Sequence, residues 1–215
     1  NAEKVEVLLG EENQEGFKGD GENTQFVFSN SSNYKNEAQS TQSVGNRSVV
    51  PFTYMGTYNN SGKPNYLVTP NDVVSQEVLD VINASLPEGA PVPTAHPEYL
   101  AADKVSTVNL IEDAGVWVTF VHEGAGYRNA LSYYSYPTEK PPATIDEIAS
   151  LNIIFPNVSF TGSGGNLTTG NKVYLGTFTA GTSIGWFLVP DGWNNSTRKV
   201  DTKPGIKFSD KNLNT

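Results

Sequence analysis

The amino-acid sequence predicts an all-β protein: an antiparallel β-sandwich, jelly-roll or immunoglobulin-like, with one α-helix inserted near residues 70–85. Three observations carry this expectation. Short apolar segments with a two-residue period recur along the chain, separated by turns rich in Gly, Pro, Asn and Ser. Only 17% of residues are charged, against 20 glycines and 13 prolines, which suits many tight turns better than a bundle of solvated helices. Aromatic side chains, mostly Tyr and Phe, are frequent and favour pleated surfaces.

Residues 1–48 are polar and carry two short strand candidates, Val5–Leu9 and Gln25–Ser29, ancillary to a sheet built by later residues. The sandwich proper is expected over residues 49–200, opening with a strand at Val49–Tyr54. After it, Thr69 is placed to cap a helix, with Pro70 at its first position and Asp72 completing a capping box. Val73, Val74, Val78, Val81 and Ile82 form its apolar stripe, and Leu86–Gly89 ends it. Pro91, Pro93 and Pro97 point to an extended connector. Strands follow at Thr107–Ile111, Val116–Val121 and Tyr127–Tyr136, the last two joined as a hairpin through His122–Gly126. Thr144 and Glu147 suggest a second capping box over a short helix or turn at Ile145–Leu151. Further strands are expected at Asn152–Phe155, Lys172–Phe178 and Ile184–Val189, and a C-terminal strand or tail at residues 201–215.

Charge and composition exclude several functions. The net charge of −9 and pI near 4.7 leave no basic stripe for a nucleic-acid backbone or an anionic membrane. The absence of cysteine removes disulfides, thiolate nucleophiles and zinc–thiolate sites. No segment approaches the roughly 20 apolar residues of a membrane span. The opening residues Asn1–Lys4 resemble no export signal, so any such signal is expected to have been removed or never included.

Several strings invite chemical readings. Gly181–Gly185 matches G-x-S-x-G around Ser183, but a nucleophile elbow needs a strand before its serine and a helix after it, and here a turn precedes a strand. His122-Glu123 lacks the second histidine of a zinc-protease helix. Gly162-Ser163-Gly164-Gly165 lacks the lysine of a phosphate loop and reads as a chain reversal. Glu123 and Asp191 each end a strand. On one edge of the sandwich they could bracket a glycosidic bond or supply oxygens to calcium; otherwise each decorates a turn. Trp186 alternates with Ile184 and Leu188 as core filling, whereas Trp193 could present an aromatic face to a sugar or peptide.

The run VTFVHEGAGYRNALSYYSYP, followed by IIFPNVSF, GSGGNL, NKVYLGTF and IGWFLVPDGW, resembles the LruC-type domain, a family of unknown function in exported and surface proteins of bacteria, notably Bacteroidetes. The resemblance covers about half of the chain and implies an all-β exported module. Ser132 and Pro190-Asp191 depart from the family pattern, which has glycine and alanine-asparagine there. The family also continues past a segment like Ile206–Asp210 into strands with Phe-Glu-Asp and Asp-Phe-Asn-Asp motifs that this sequence lacks. A truncated sandwich would leave an open edge, able to take another polypeptide by strand addition.

Together these readings lead to a bacterial cell-surface or periplasmic binding module that recognises a glycan, a peptide or a partner subunit. Glu123, Arg128 and Asn129 are its expected polar contacts and Trp193 its aromatic one. A glycoside hydrolase using Glu123 and Asp191 and a purely structural scaffold are the alternatives.

Overall fold

The computed structural model describes residues 4–6, 52–86, 90–101, 104–123, 126–202 and 205–214. The strand expected at Gln25–Ser29, and the outer parts of those at Val5–Leu9 and Val49–Tyr54, lie outside these residues. In chain order come strands β1 (Lys4–Glu6) and β2 (Phe52–Tyr54), helices α1 (Gln76–Ser85) and α2 (Val92–Ala95), then β3 (Val108–Asn109), β4 (Ala114–Thr119), β5 (Ala130–Pro137), β6 (Leu151–Phe155), β7 (Lys172–Phe178), β8 (Thr182–Val189), β9 (Trp193–Asn194), β10 (Lys199–Val200) and β11 (Lys207–Phe208).

The architecture is the expected sandwich. A six-stranded sheet runs β11-β8-β5-β6-β2, with β3 on the same side of β8 as β11, and faces a three-stranded sheet β1-β4-β7. Pairing is antiparallel through the centre, while β1 joins β4 and β2 joins β6 in parallel. Strand β5 is the axis, matched residue for residue to β8 from Ala130↔Val189 to Pro137↔Thr182.

Alternation along these two strands sorts side chains onto opposite faces. Leu131 and Tyr133 of β5, with Ile184 and Trp186 of β8, meet Val116 and Val118 of β4 and Val173 and Leu175 of β7 between the sheets. Tyr133 crosses the layers to Phe178, edge to face at 6.2 Å. Ala130 and Tyr134, with Phe187 and Val189, point the other way into a second cluster closed by Ile148, Leu151, Phe208 and Leu213. Complete burial of side chains such as Ile184 and Phe187 contributes about 1.5–3 kcal/mol each. Gly185 has no room for more: a Cβ there would overlap the Tyr134 ring, which lies across it from the paired strand.

The helix begins later than its sequence signal. Ser75, not Thr69, is the N-cap, its side chain accepting from the Val78 N–H, and the Thr69–Pro70 peptide is cis. Asp72 is drawn elsewhere: Lys172 Nζ lies 2.5 Å from Asp72 Oδ1, Thr119 donates to Oδ2 at 2.6 Å, and both charged side chains are almost wholly buried. A cap is worth about 1 kcal/mol, whereas a buried lysine deprived of its partner costs about 3–5, so the ion pair wins. Among the described residues α1 buries none of its side chains, and Val73, from the expected apolar stripe, is 97% exposed.

Other expectations change in detail. The proline connector is not extended: Pro91 and Pro93 stand at the start of the single turn α2, and Pro97 opens a 3-10 turn, positions where a missing N–H costs nothing. Ile145–Glu147 is a 3-10 turn whose Glu147 carboxylate accepts from the Ala143 N–H. The stretch read as a hairpin is a crossover. Strand β4 pairs with β1 and β7, while β5 pairs with β6 and β8, so residues 120–129 pass from one sheet to the other. The C-terminal segment covers the outer edge of β8. β11 pairs with Phe187 and Leu188, Ser209 bonds both backbone groups of Trp186, and β3 covers Ser183 and Ile184. The Asp210 carboxylate fastens this segment by accepting from the phenols of Tyr134 at 2.5 Å and Tyr136 at 3.3 Å.

Two outcomes are expected. Asp72→Ala should destabilise the fold by about 3–5 kcal/mol, and adding Lys172→Met should restore most of the loss, as measured by urea denaturation. Burial, together with Asp210, raises the Tyr134 phenol and pushes that of Tyr136 up to about 12, from an ordinary value of 10.0. The folded state therefore holds protons that the unfolded chain releases. This stabilisation is complete below pH 10 and is lost as pH rises through about 12. Tyr136→Phe should flatten that alkaline decline in unfolding curves recorded across this range.

Candidate functional site

Strand β4 does not stop its pairing at Thr119: the Phe120 N–H donates to Asn171 O and Phe120 O accepts from Gly170 N. Beyond it the chain leaves the three-stranded sheet, and the connection from β6 to β7 makes the reverse crossing beside it. Glu123 joins the two. It is 4% exposed, and its Oε2 accepts the Phe160 N–H at 3.0 Å and the Ser163 hydroxyl at 2.6 Å. Val121 O accepts from Thr169 Oγ1, and His122 packs edge-on against Phe160. Hydrogen bonds with a charged acceptor are about twice as strong as neutral ones, which suits this carboxylate to a structural joint.

Arg128 and Asn129 enter β5 with their backbones fixed. The Arg128 N–H donates to Asp191 Oδ1 at 3.2 Å, and its carbonyl accepts from the Trp193 N–H. Asn129 Oδ1 accepts the Asp191 N–H at 2.7 Å, and its carbonyl accepts from Val158 N. Asp191, at φ 45°, thus exchanges hydrogen bonds with the start of β5 from an exposed turn. The Glu123 and Asp191 carboxylates are held by separate donors, one buried and one exposed.

Trp193 is not the exposed ring that the sequence suggested. It is 3% exposed, stands edge-on to Tyr58 at 5.6 Å and donates its indole N–H to Asn195 Oδ1. Burial, with Tyr54 beside it, pushes the Tyr58 phenol up to about 12, which keeps it a donor to Arg198 O. Trp186 fills the core as expected. Ser183 is buried in β8, bonded to Asn109 and Thr138, and forms no elbow.

The structure therefore brings Glu123, Arg128, Asn129, Asp191 and Trp193 to one end of the sandwich and adds residues that sequence reasoning did not single out as a site. Asn157, buried, donates through Nδ2 to Ser61 O and Gly164 O, so it links the 58–64 turn to the 157–167 loop. Asn166 reaches Ser61 Oγ from the same loop. Buried polar atoms here lack partners among the described residues: Glu123 Oε1, Arg128 Nε, Asn157 Oδ1 and Ser159 Oγ. Each such group costs about 1–3 kcal/mol when left unsatisfied. They all adjoin the same loop. Glu123 holds its Ser163, Asn157 its Gly164, a Cβ on Gly164 would meet Arg128 Nε at 2.8 Å, and one on Gly165 would overlap Ser159. Among the described residues no three His, Cys, Asp or Glu side chains gather as a metal ion would require.

No protein-family model, curated protein or solved structure matches the chain. Replacing Asn129 by Ala should leave the Asp191 N–H without its acceptor and lower stability by about 1–3 kcal/mol in denaturant titrations.

Proposed function

We propose that the chain is a binding module that recognises a glycan through the loop end of its sandwich. Arg128 carries this reading. Its main chain is fixed on both sides, its side chain is half-buried against Gly164, and its Nε keeps an unused donor at the same loop that Glu123 and Asn157, each with an unused acceptor, also touch. A planar guanidinium on a rigid strand end is preorganised for directional hydrogen bonds. Sugar hydroxyls both donate and accept, so they complement such a mixture of carboxylate, amide and guanidinium. A peptide adding as a strand is the weaker fit, because the edge of β8 is already covered by the chain itself. The likeness of the HEGAGYRNALSYYSYP run to the LruC-type domain supports an exported bacterial setting, at the cell surface or in the periplasm.

Glycan-array screening followed by calorimetry tests this. Arg128→Ala should weaken the best saccharide at least about tenfold, roughly 1.4 kcal/mol, and Arg128→Lys should recover only part, because an ammonium lacks the fork. Unchanged affinity in both variants would remove Arg128 from the site.

A further inference from the structure

We propose that the tip Thr161–Leu167 is a lid, and that Glu123, Arg128, Asn157 and Ser159 line the site beneath it, taking the adjacent hydroxyls of a neutral sugar ring. This deepens the glycan reading and rests on it for the ligand, though not for the lid. The four side chains come from three separate parts of the chain, yet each keeps a buried hydrogen-bonding atom unused, and each adjoins the 159–165 stretch. A closed loop that hides unsatisfied groups is under a standing bias to open, because opening returns those groups to water or to a ligand.

The tip is built to move as a unit. At its base the Thr161 N–H and hydroxyl both donate to Leu167 O, and Leu167 is wholly buried as an anchor. Beyond the base, the tip is held to the body by side-chain bonds: Ser163 to Glu123, Asn157 to Gly164 O and Asn166 to Ser61. Gly162 and Gly164, both at φ +101°, occupy backbone conformations that other residues rarely adopt. Lifting the tip would uncover Arg128 Nε and Ser159 and leave Glu123 and Asn157 facing the opening as acceptors. Carboxylate and amide oxygens as acceptors, a guanidinium N–H as donor and a serine hydroxyl able to do either suit sugar hydroxyls, which both donate and accept.

Hydrogen exchange on the full chain tests the lid, alongside calorimetry with neutral trisaccharides of glucose, mannose and N-acetylglucosamine. The amides of Phe160 and of the tip should exchange at least about a hundredfold faster than those of β5 and β8. Gly164→Ala penalises the closed form, through its φ and through Arg128. It should speed tip exchange about fivefold or more and tighten saccharide binding by the same factor, since affinity scales with the open fraction. Asn166→Ala, which removes only a rim contact, should act in the same direction more weakly. Tip amides protected as strongly as the core would overturn the lid. Saccharide binding that ignores both variants would overturn its coupling to the site while leaving the glycan reading in place. A mobile tip over a site that binds none of the saccharides would instead reject the sugar as ligand.

Discussion

The pairing of β5 with β8 is the constraint from which the rest of the molecule follows. Eight consecutive residue pairs lock the register, and one step of slippage would exchange the two faces. Tyr133 and Trp186 would then leave the space between the sheets, and Tyr134 and Phe187 would enter it. With both faces covered, by β4 and β7 on one side and by the 145–148 turn and the C-terminal turn on the other, neither arrangement of side chains tolerates exchange. The strand pair therefore behaves as a plate between two apolar clusters, and the strands and turns packed on it are placed by which cluster they close.

The loop end inherits its rigidity from that plate. Arg128 and Asn129 immediately precede β5, and the Pro190–Gly192 turn immediately follows β8, so the bonds between them extend the ladder past its last regular pair. Among the described residues, the 157–167 loop has only one backbone bond of this kind to the body, from the Val158 N–H to Asn129 O. It leans on a buried carboxylate and on side-chain amides, interactions that are strong when closed but each dependent on one or two atoms. On the proposed reading this divides fixed contact residues from an adaptable cover, a common arrangement in binding loops.

The sandwich itself could be read from the sequence, because a two-residue period over β4 to β8 reports burial wherever a strand lies. The partner of a strand is a different matter. Val116–Thr119 shows the same alternation whether it pairs with β5 or with β7, so the hairpin reading and the crossover were indistinguishable before the distant strands were in view. The helix start failed for a related reason: Thr69–Asp72 has good local capping chemistry, yet Lys172 lies 100 residues away and claims the carboxylate. The candidate site was half visible. Glu123, Arg128 and Asn129 stood out as polar residues at strand ends, whereas Asn157 and Ser159 alternate with Pro156, Val158 and Phe160 as in any half-buried segment, and only the crossing of two connections brings them to the candidate site. Trp193 was misjudged because the ring that covers it, Tyr58, comes from a turn far upstream.

Positions 134 and 185 occupy a single volume. The backbone of Gly185 is ordinary extended strand, so conformation alone does not demand glycine; the phenol ring laid across it does. Such an aromatic–glycine pair on neighbouring strands repairs with ring surface what the strand loses by lacking a side chain. Evolution cannot treat the two sites independently. A lineage that shrank the tyrosine would be free to enlarge the glycine, and one that kept the ring would be bound to keep the gap, so sequence drift in this fold should travel through paired changes at these positions.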